Sequence, residues 1–110
     1  MESFVIKSYL YDFYGELLTE HQRRIYEEIN FNDYSAAEVA RDEGISRQGV
    51  HDLMKRCDRL LEEYEERLHL VSRFIRIREK VQQIEQLSGD DGDTRLRAIR
   101  DLSRAILEEL

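Results

Sequence analysis

The chain has 110 residues, with 24 acidic against 17 basic and a formal net charge of −7. That length accommodates one domain, or one domain with an arm, but not two independent cores. With no proline and five glycines, strand and turn signals are too sparse for a β-rich fold. The excess of acid argues against strong indiscriminate binding to nucleic acid, because Lys and Arg on phosphates supply most of that affinity.

An all-α protein is the expectation, since Leu, Glu and Arg favour helices. The longest apolar run is three residues, far short of the roughly 20 that cross a bilayer. The N-terminal M-E-S-F-V-I-K lacks a basic start followed by an apolar stretch, so a cytoplasmic protein without a membrane segment is expected. Cys57 is the only cysteine, which excludes an internal disulfide framework and a thiolate zinc cluster. His21, His51 and His69 have no metal-ligand spacing, and no nucleophile elbow or Gly-rich phosphate loop occurs. No enzyme activity, cofactor or metal is therefore expected.

In chain order, Ile6, Leu10, Phe13 and Leu17 recur at three- and four-residue spacing and predict a first helix from Ser3 to Leu18 with that stripe inward. Thr19 opens T-E-H-Q, a capping-box pattern for a second helix that buries Ile25, Tyr26 and Ile29. Phe31, Asn32 and Asp33 break that helix, because short polar side chains compete for backbone hydrogen bonds. A second capping box, S-A-A-E at 35–38, opens a short third helix that should end at Gly44, where a left-handed residue is tolerated. Ser46 can cap the next helix.

From Val50 the apolar residues repeat in sevens. Val50, Cys57, Tyr64 and Val71 form one line, Leu53, Leu60, Phe74 and Val81 a second, and Met54, Leu61, Leu68 and Ile75 a third. The pattern predicts one long helix from about 46 to 87, roughly 60 Å at 1.5 Å per residue. A helix of that length needs a partner surface, most simply a second copy. The domain expected is 1–87, with 88–110 as a loop and a C-terminal helix of the same unit. In S-G-D-D-G-D at 88–93 the calcium-loop ligand set is incomplete, so the segment is a turn. Asp93 or Thr94 then caps a last helix carrying Leu96, Ile99, Leu102 and Ile106.

The segment from Tyr34 to Arg56 has the spacing of a helix-turn-helix. Ala40 is the small residue at the helix contact, Gly44 stands in the turn, Val50 and Leu53 lock the second helix, and Val39 and Ile45 fill the wedge. Ser46, Arg47, Gln48, His51, Asp52 and Lys55 are then left on the outer face of a helix suited to the major groove. Arg47 can bond guanine in bidentate fashion and Gln48 adenine, while Lys55 and Arg56 suit phosphates. The candidate nucleic-acid-binding residues are Ser46, Arg47, Gln48, His51, Lys55 and Arg56. Residues 46–57 net +2, whereas 58–66 net −4. The alternative is a packing module with a merely solvated polar face.

Arg67, Arg73, Arg76, Arg78 and Lys80 form a second basic stretch, suited to RNA or an acidic protein if it is not simply solvated. Tyr9, Tyr11, Tyr14 and Tyr26 are expected in the core or an interface rather than stacked on bases. Cys57, on an apolar line, is expected as a small buried hydrophobe.

The segments L-Y-D-F-Y-G-E-L-L-T-E-H-Q, Y-S-A-A-E-V-A-R-D-E-G-I-S-R-Q-G-V-H-D and L-L-E-E-Y-E-E-R-L-H-L, in that order, resemble the YlxM-like family of small bacterial helix-turn-helix proteins over about residues 8–75. The resemblance implies an all-helical fold similar to region 4 of sigma factors, in the winged-helix-like class, with a long helix used for dimerisation. It also implies a homodimer and a regulatory role in the signal recognition particle pathway, with DNA, the particle's RNA or its GTPase as partners. Against the family's S-R-Q-A-V-Y-D-N-I-K-R, this chain keeps Ser46, Arg47, Gln48, Val50, Asp52, Lys55 and Arg56 and departs at Gly49, His51, Leu53 and Met54.

Overall fold

A computed structural model describes residues 3–88 and 94–110. Among these residues there are helices and no strand, so the fold is all-α and no wing flanks the helix-turn-helix. The chain divides into two units, Met1–His69 and Leu70–Leu110. The division therefore falls at residue 69, where the sequence pattern had placed the middle of a continuous helix, and not at 87.

The first unit comprises α1 (Ser3–Tyr14), a single 3-10 turn (Gly15–Leu17), α2 (Glu20–Asn30), α3 (Ala36–Glu43) and α4 (Arg47–Leu68). Both capping boxes form. The Thr19 hydroxyl accepts from the Gln22 N–H at 3.1 Å while Gln22 Oε1 accepts from the Thr19 N–H at 3.0 Å, and Ser35 and Glu38 repeat the exchange. Gly44 ends α3 in the left-handed conformation, at φ 69, and the Ser46 hydroxyl accepts from the Gly49 N–H at 2.9 Å. Each boundary follows from side chains that satisfy orphan backbone groups at a helix end. Asp33, at φ 60, makes the turn between α2 and α3, in line with the tolerance of Asp for that region.

The first helix departs from expectation. It ends at Tyr14 rather than Leu18, and the buried line is Leu10, Tyr14 and Leu18, whereas Phe13 and Leu17 are exposed. The tighter winding of the 3-10 turn rotates the following side chains off the α-helical register, which carries Leu17 outward and Leu18 inward. Gly15 is buried against the Tyr11 ring, and a Cβ there would lie 2.9 Å from Tyr11 Cε1, so the tyrosine packs where only glycine leaves room.

α4 ends at Leu68, and His69 adopts the left-handed conformation at φ 56, ψ 27 with its N–H donating to the Glu65 carbonyl at 2.9 Å. α5 (Leu70–Leu87) starts on the next residue. The expected helix from 46 to 87 is thus two helices of 22 and 18 residues, and the length argument for a second copy falls with it. A single left-handed residue stops the i to i−4 ladder. Tyr64 and Val71, which flank the break, both keep some burial, so the heptad lines run across it without a signal.

The second unit is α5 packed on α6 (Thr94–Glu109). Val71, Val81, Ser88 and Ser103 are buried in it, and Arg104 donates to Glu85 Oε1 at 3.3 Å. The Ser88 hydroxyl turns back onto the Ile84 and Glu85 carbonyls, at 2.8 and 3.1 Å, closing the last turn of α5. The expected turn at 88–93 and its possible Asp93 cap lie, apart from Ser88, outside the described residues.

Candidate nucleic-acid interface

The helix-turn-helix core consists of Ile25 from α2, Val39 and Ala40 from α3 and Val50 from α4, all buried, with Ile29, Ala36, Leu53 and Met54 packed around them. Ala40 and Val50 occupy the expected contact. Val39 fills the wedge as expected, but Ile45 is exposed, and Ile25 and Ile29 of α2 pack in its place. Tertiary packing against α2 supplied those side chains, which the motif spacing within 34–56 could not show.

Polar clamps tie α1 and α2 to α4 and to each other. The Tyr26 hydroxyl donates to Asp58 Oδ1 at 3.0 Å and the Tyr14 hydroxyl to Glu65 Oε1 at 2.6 Å, while Tyr11 donates to Glu27. Lys7 Nζ lies 3.7 Å from Asp58 Oδ2. Tyr11 and Tyr26 stack with centroids 5.4 Å apart at 8°, so Tyr11, Tyr14 and Tyr26 belong to the fold rather than to base stacking. Burial, reinforced by Asp58, pushes the Tyr26 hydroxyl far above its ordinary range, and burial with Glu27 does the same to Tyr11. Asp58 and Glu65 are two of the five acids that made residues 58–66 look hostile to a polyanion, and both serve as tyrosine acceptors. Cys57 is fully buried, and burial raises its thiol to about 11.

At the other end of the motif, Arg24 of α2 grips Glu43 of α3 through two bonds of 2.9 Å, with His21 at 3.5 Å. Arg24 holds the Glu43 carboxyl below the usual range. This pins the C-terminal end of α3 next to the turn.

Ser46, Arg47, Gln48, His51, Asp52, Lys55 and Arg56 are all exposed, on the cap and first three turns of α4. Among the described residues Arg47, Lys55 and Arg56 make no ion pair, so their charge is available to an external anion. Gln48 is not idle: its Nε2 donates to Asp52 Oδ1 at 2.9 Å, and a base must compete with or share that bond. Gly49 places its Cα where an added Cβ would lie 3.2 Å from the Ser46 hydroxyl oxygen, so glycine gives the capping hydroxyl room.

One cation escaped the sequence reasoning. Arg59 is exposed and stands one turn beyond Lys55 on the same side of α4, extending the basic row past the segment judged acidic by its net charge. The signal was present in the i, i+4 spacing from Lys55. Beyond Arg59 the same face carries exposed Glu62, Glu63 and Glu66, which bound the cationic row at its C-terminal end. The second basic stretch is not one surface within a unit: Arg67 belongs to the first unit and Arg73, Arg76, Arg78 and Lys80 to the second.

Three helices packed on a small-residue contact, with a left-handed glycine in the turn and an exposed polar face carrying cations on α4, define a helix-turn-helix protein. The chain belongs to the family described as "Putative helix-turn-helix protein, YlxM / p13 like" (UPF0122), which matches residues 1–99. It is 45% identical over 85 residues to a UPF0122 protein of Caldanaerobacter subterraneus subsp. tengcongensis, covering 77% of this chain and 73% of that one. It is 43% identical over 79 residues to a UPF0122 protein of Halalkalibacterium halodurans, covering 72% of each. Among the described residues no helix is long and apolar enough to cross a membrane.

Proposed function

We propose that this protein is a cytoplasmic DNA-binding regulator that reads duplex DNA with the exposed face of α4, through Ser46, Arg47, Gln48, His51, Lys55 and Arg56, and works as a homodimer in the signal recognition particle pathway. The observation that carries the nucleic-acid part is that Arg47, Lys55 and Arg56 lie on the helix-turn-helix face and make no ion pair among the described residues. Arg47 and Gln48, at the helix start, are the base readers. Lys55, Arg56 and Arg59 are the phosphate contacts that set register. The placement in protein targeting is supported by the family resemblance, and pairing of two copies would let two reading helices about 34 Å apart address successive major grooves.

A second reading is favoured by Glu62, Glu63 and Glu66, which continue the α4 face away from the cations. An acidic continuation suits a basic protein surface or the particle GTPase, or an RNA that touches only the first turns. Fluorescence-anisotropy titrations against duplex DNA, particle RNA and the purified GTPase separate these. Three to four phosphate contacts imply that DNA affinity falls by roughly two orders of magnitude between 50 and 200 mM salt. Arg47→Ala and Gln48→Ala should abolish preference for one duplex over competitor. Unchanged DNA affinity in both variants, with GTPase or RNA binding intact, would transfer the function to the second reading.

A further inference from the structure

An acid stands in the middle of the cationic face of α4. Asp52 is exposed one turn after Gln48, with Lys55 and Arg56 three and four residues further on. A carboxylate so placed repels the phosphates that its neighbours attract. Cations three and four residues away are the ones an acid on a helix can reach, yet among the described residues Asp52 makes no ion pair. It accepts instead from Gln48 Nε2, at 2.9 Å.

We propose that Asp52 is a positioning residue that makes Gln48 discriminate adenine from guanine. The inference rests on the proposed reading of duplex DNA by α4 and deepens it. Its basis is the donor count of the Gln48 amide. A free glutamine amide has two N–H donors and one carbonyl acceptor, and it turns about a terminal torsion that is broad and two-fold. It can therefore offer its NH2 to the two acceptors of guanine, N7 and O6, or its mixed edge to adenine. Only the nitrogen can face a carboxylate, because Oε1 and Asp52 Oδ1 would meet as two acceptors. The bond to Asp52 thus decides which way the amide points and occupies one of its two N–H groups.

One donor and one acceptor are left. Adenine presents an acceptor at N7 and a donor at N6, whereas guanine presents two acceptors. Gln48 Oε1 is satisfied by the first base and set against O6 of the second, and an unmatched polar pair of this kind rejects the wrong partner. The side chain is also held at its root. Gln48 follows the Ser46 cap by two residues, and the Ser46 hydroxyl accepts from the Gly49 N–H at 2.9 Å, so the backbone beneath the amide is fixed. Ordering Gln48 before DNA arrives removes part of the entropy cost of binding. Asp52 lowers affinity for all DNA through its charge and raises the preference for one base through its acceptor, and these two effects separate by substitution.

The test begins with duplexes selected by the full-length wild type from a randomised library. Anisotropy titrations at one fixed salt concentration then compare the selected duplex, the same duplex with each adenine changed to guanine in turn, and an arbitrary competitor duplex. The wild type should prefer adenine to guanine at one position by roughly five- to a hundredfold, and Gln48→Ala should erase that preference. Asp52→Ala should erase it at the same position while raising affinity for the competitor roughly two- to fivefold, because a repelling charge is gone. Asp52→Asn keeps an acceptor for Gln48 without the charge, so it should raise competitor binding equally and retain the preference. A merely structural pair would lower both affinities together through fraying of α4. In the absence of DNA, the Gln48 side-chain amide protons should shift in the NMR spectrum of Asp52→Ala toward those of a free glutamine. A preference that survives Asp52→Ala, or that Asp52→Asn loses as fully, would overturn the proposal, as would Gln48 amide protons that do not move. A wild type that selects no duplex would overturn it together with the DNA reading, and that failure shows in the wild-type arm before any variant is compared.

Discussion

The two units of this chain solve the same problem differently. The first, through His69, buries Ile25, Tyr26, Val39, Val50, Cys57 and Leu61 completely and locks its helices with tyrosine hydroxyls on carboxylates. The second buries Val71, Val81 and two serines while leaving Ile77, Ile84, Ile99, Leu102 and Ile106 exposed. Three or more helices can enclose side chains from several directions, whereas two helices share one seam and leave their other apolar faces outside. The contrast assigns the precise, preorganised face to the first unit.

The contrast breaks first at the core of the first unit. Ile25→Ala should cost about 2–5 kcal/mol by removing buried aliphatic volume at the α2–α3–α4 contact, measured by urea unfolding. A second test replaces Tyr26 by Phe, which leaves Asp58 with Lys7 but without its tyrosine donor and should cost about 1–3 kcal/mol. An equally large loss from Leu102→Ala in the same assay would mean that the exposed α6 stripe is part of a core, and the difference between the units would vanish.

The pH dependence sharpens the same point. Cys57 has a thiol raised by burial from 9.0 to about 11, so the native state holds the proton where the unfolded chain has begun to lose it. Stability from this group is present below pH 9 and is lost as pH rises toward 11. Unfolding free energy should therefore decline across that window, and Cys57→Ala should flatten its first part. Thiol labelling of the wild type should stay slow until the chain unfolds.

The smallest expected effect lies at the reading helix. Gly49→Ala should stabilise by less than about 1 kcal/mol, because the gain in helix propensity exceeds a slight displacement of the Ser46 hydroxyl, read as a rise of a few degrees in Tm. Destabilisation would show that the cap cannot shift.

How much of this was legible in the sequence depends on range. Thr19, Ser35, Gly44 and Ser46 determined their helix ends unaided, because a cap acts on backbone groups within four residues of itself. The helix-turn-helix and its outward residues Ser46 to Arg56 were legible for the same reason: spacing along one helix dictates which side chains share a face. The break at His69 was not, since no proline or glycine marks it and the apolar repeat continues through it. Nor could periodicity show that α6 would turn Ile99, Leu102 and Ile106 outward, or that Asp58 and Glu65 would be claimed by Tyr26 and Tyr14 from 32 and 51 residues away. Those choices were made by packing between helices, where volume and hydrogen-bond partners arrive from distant parts of the chain.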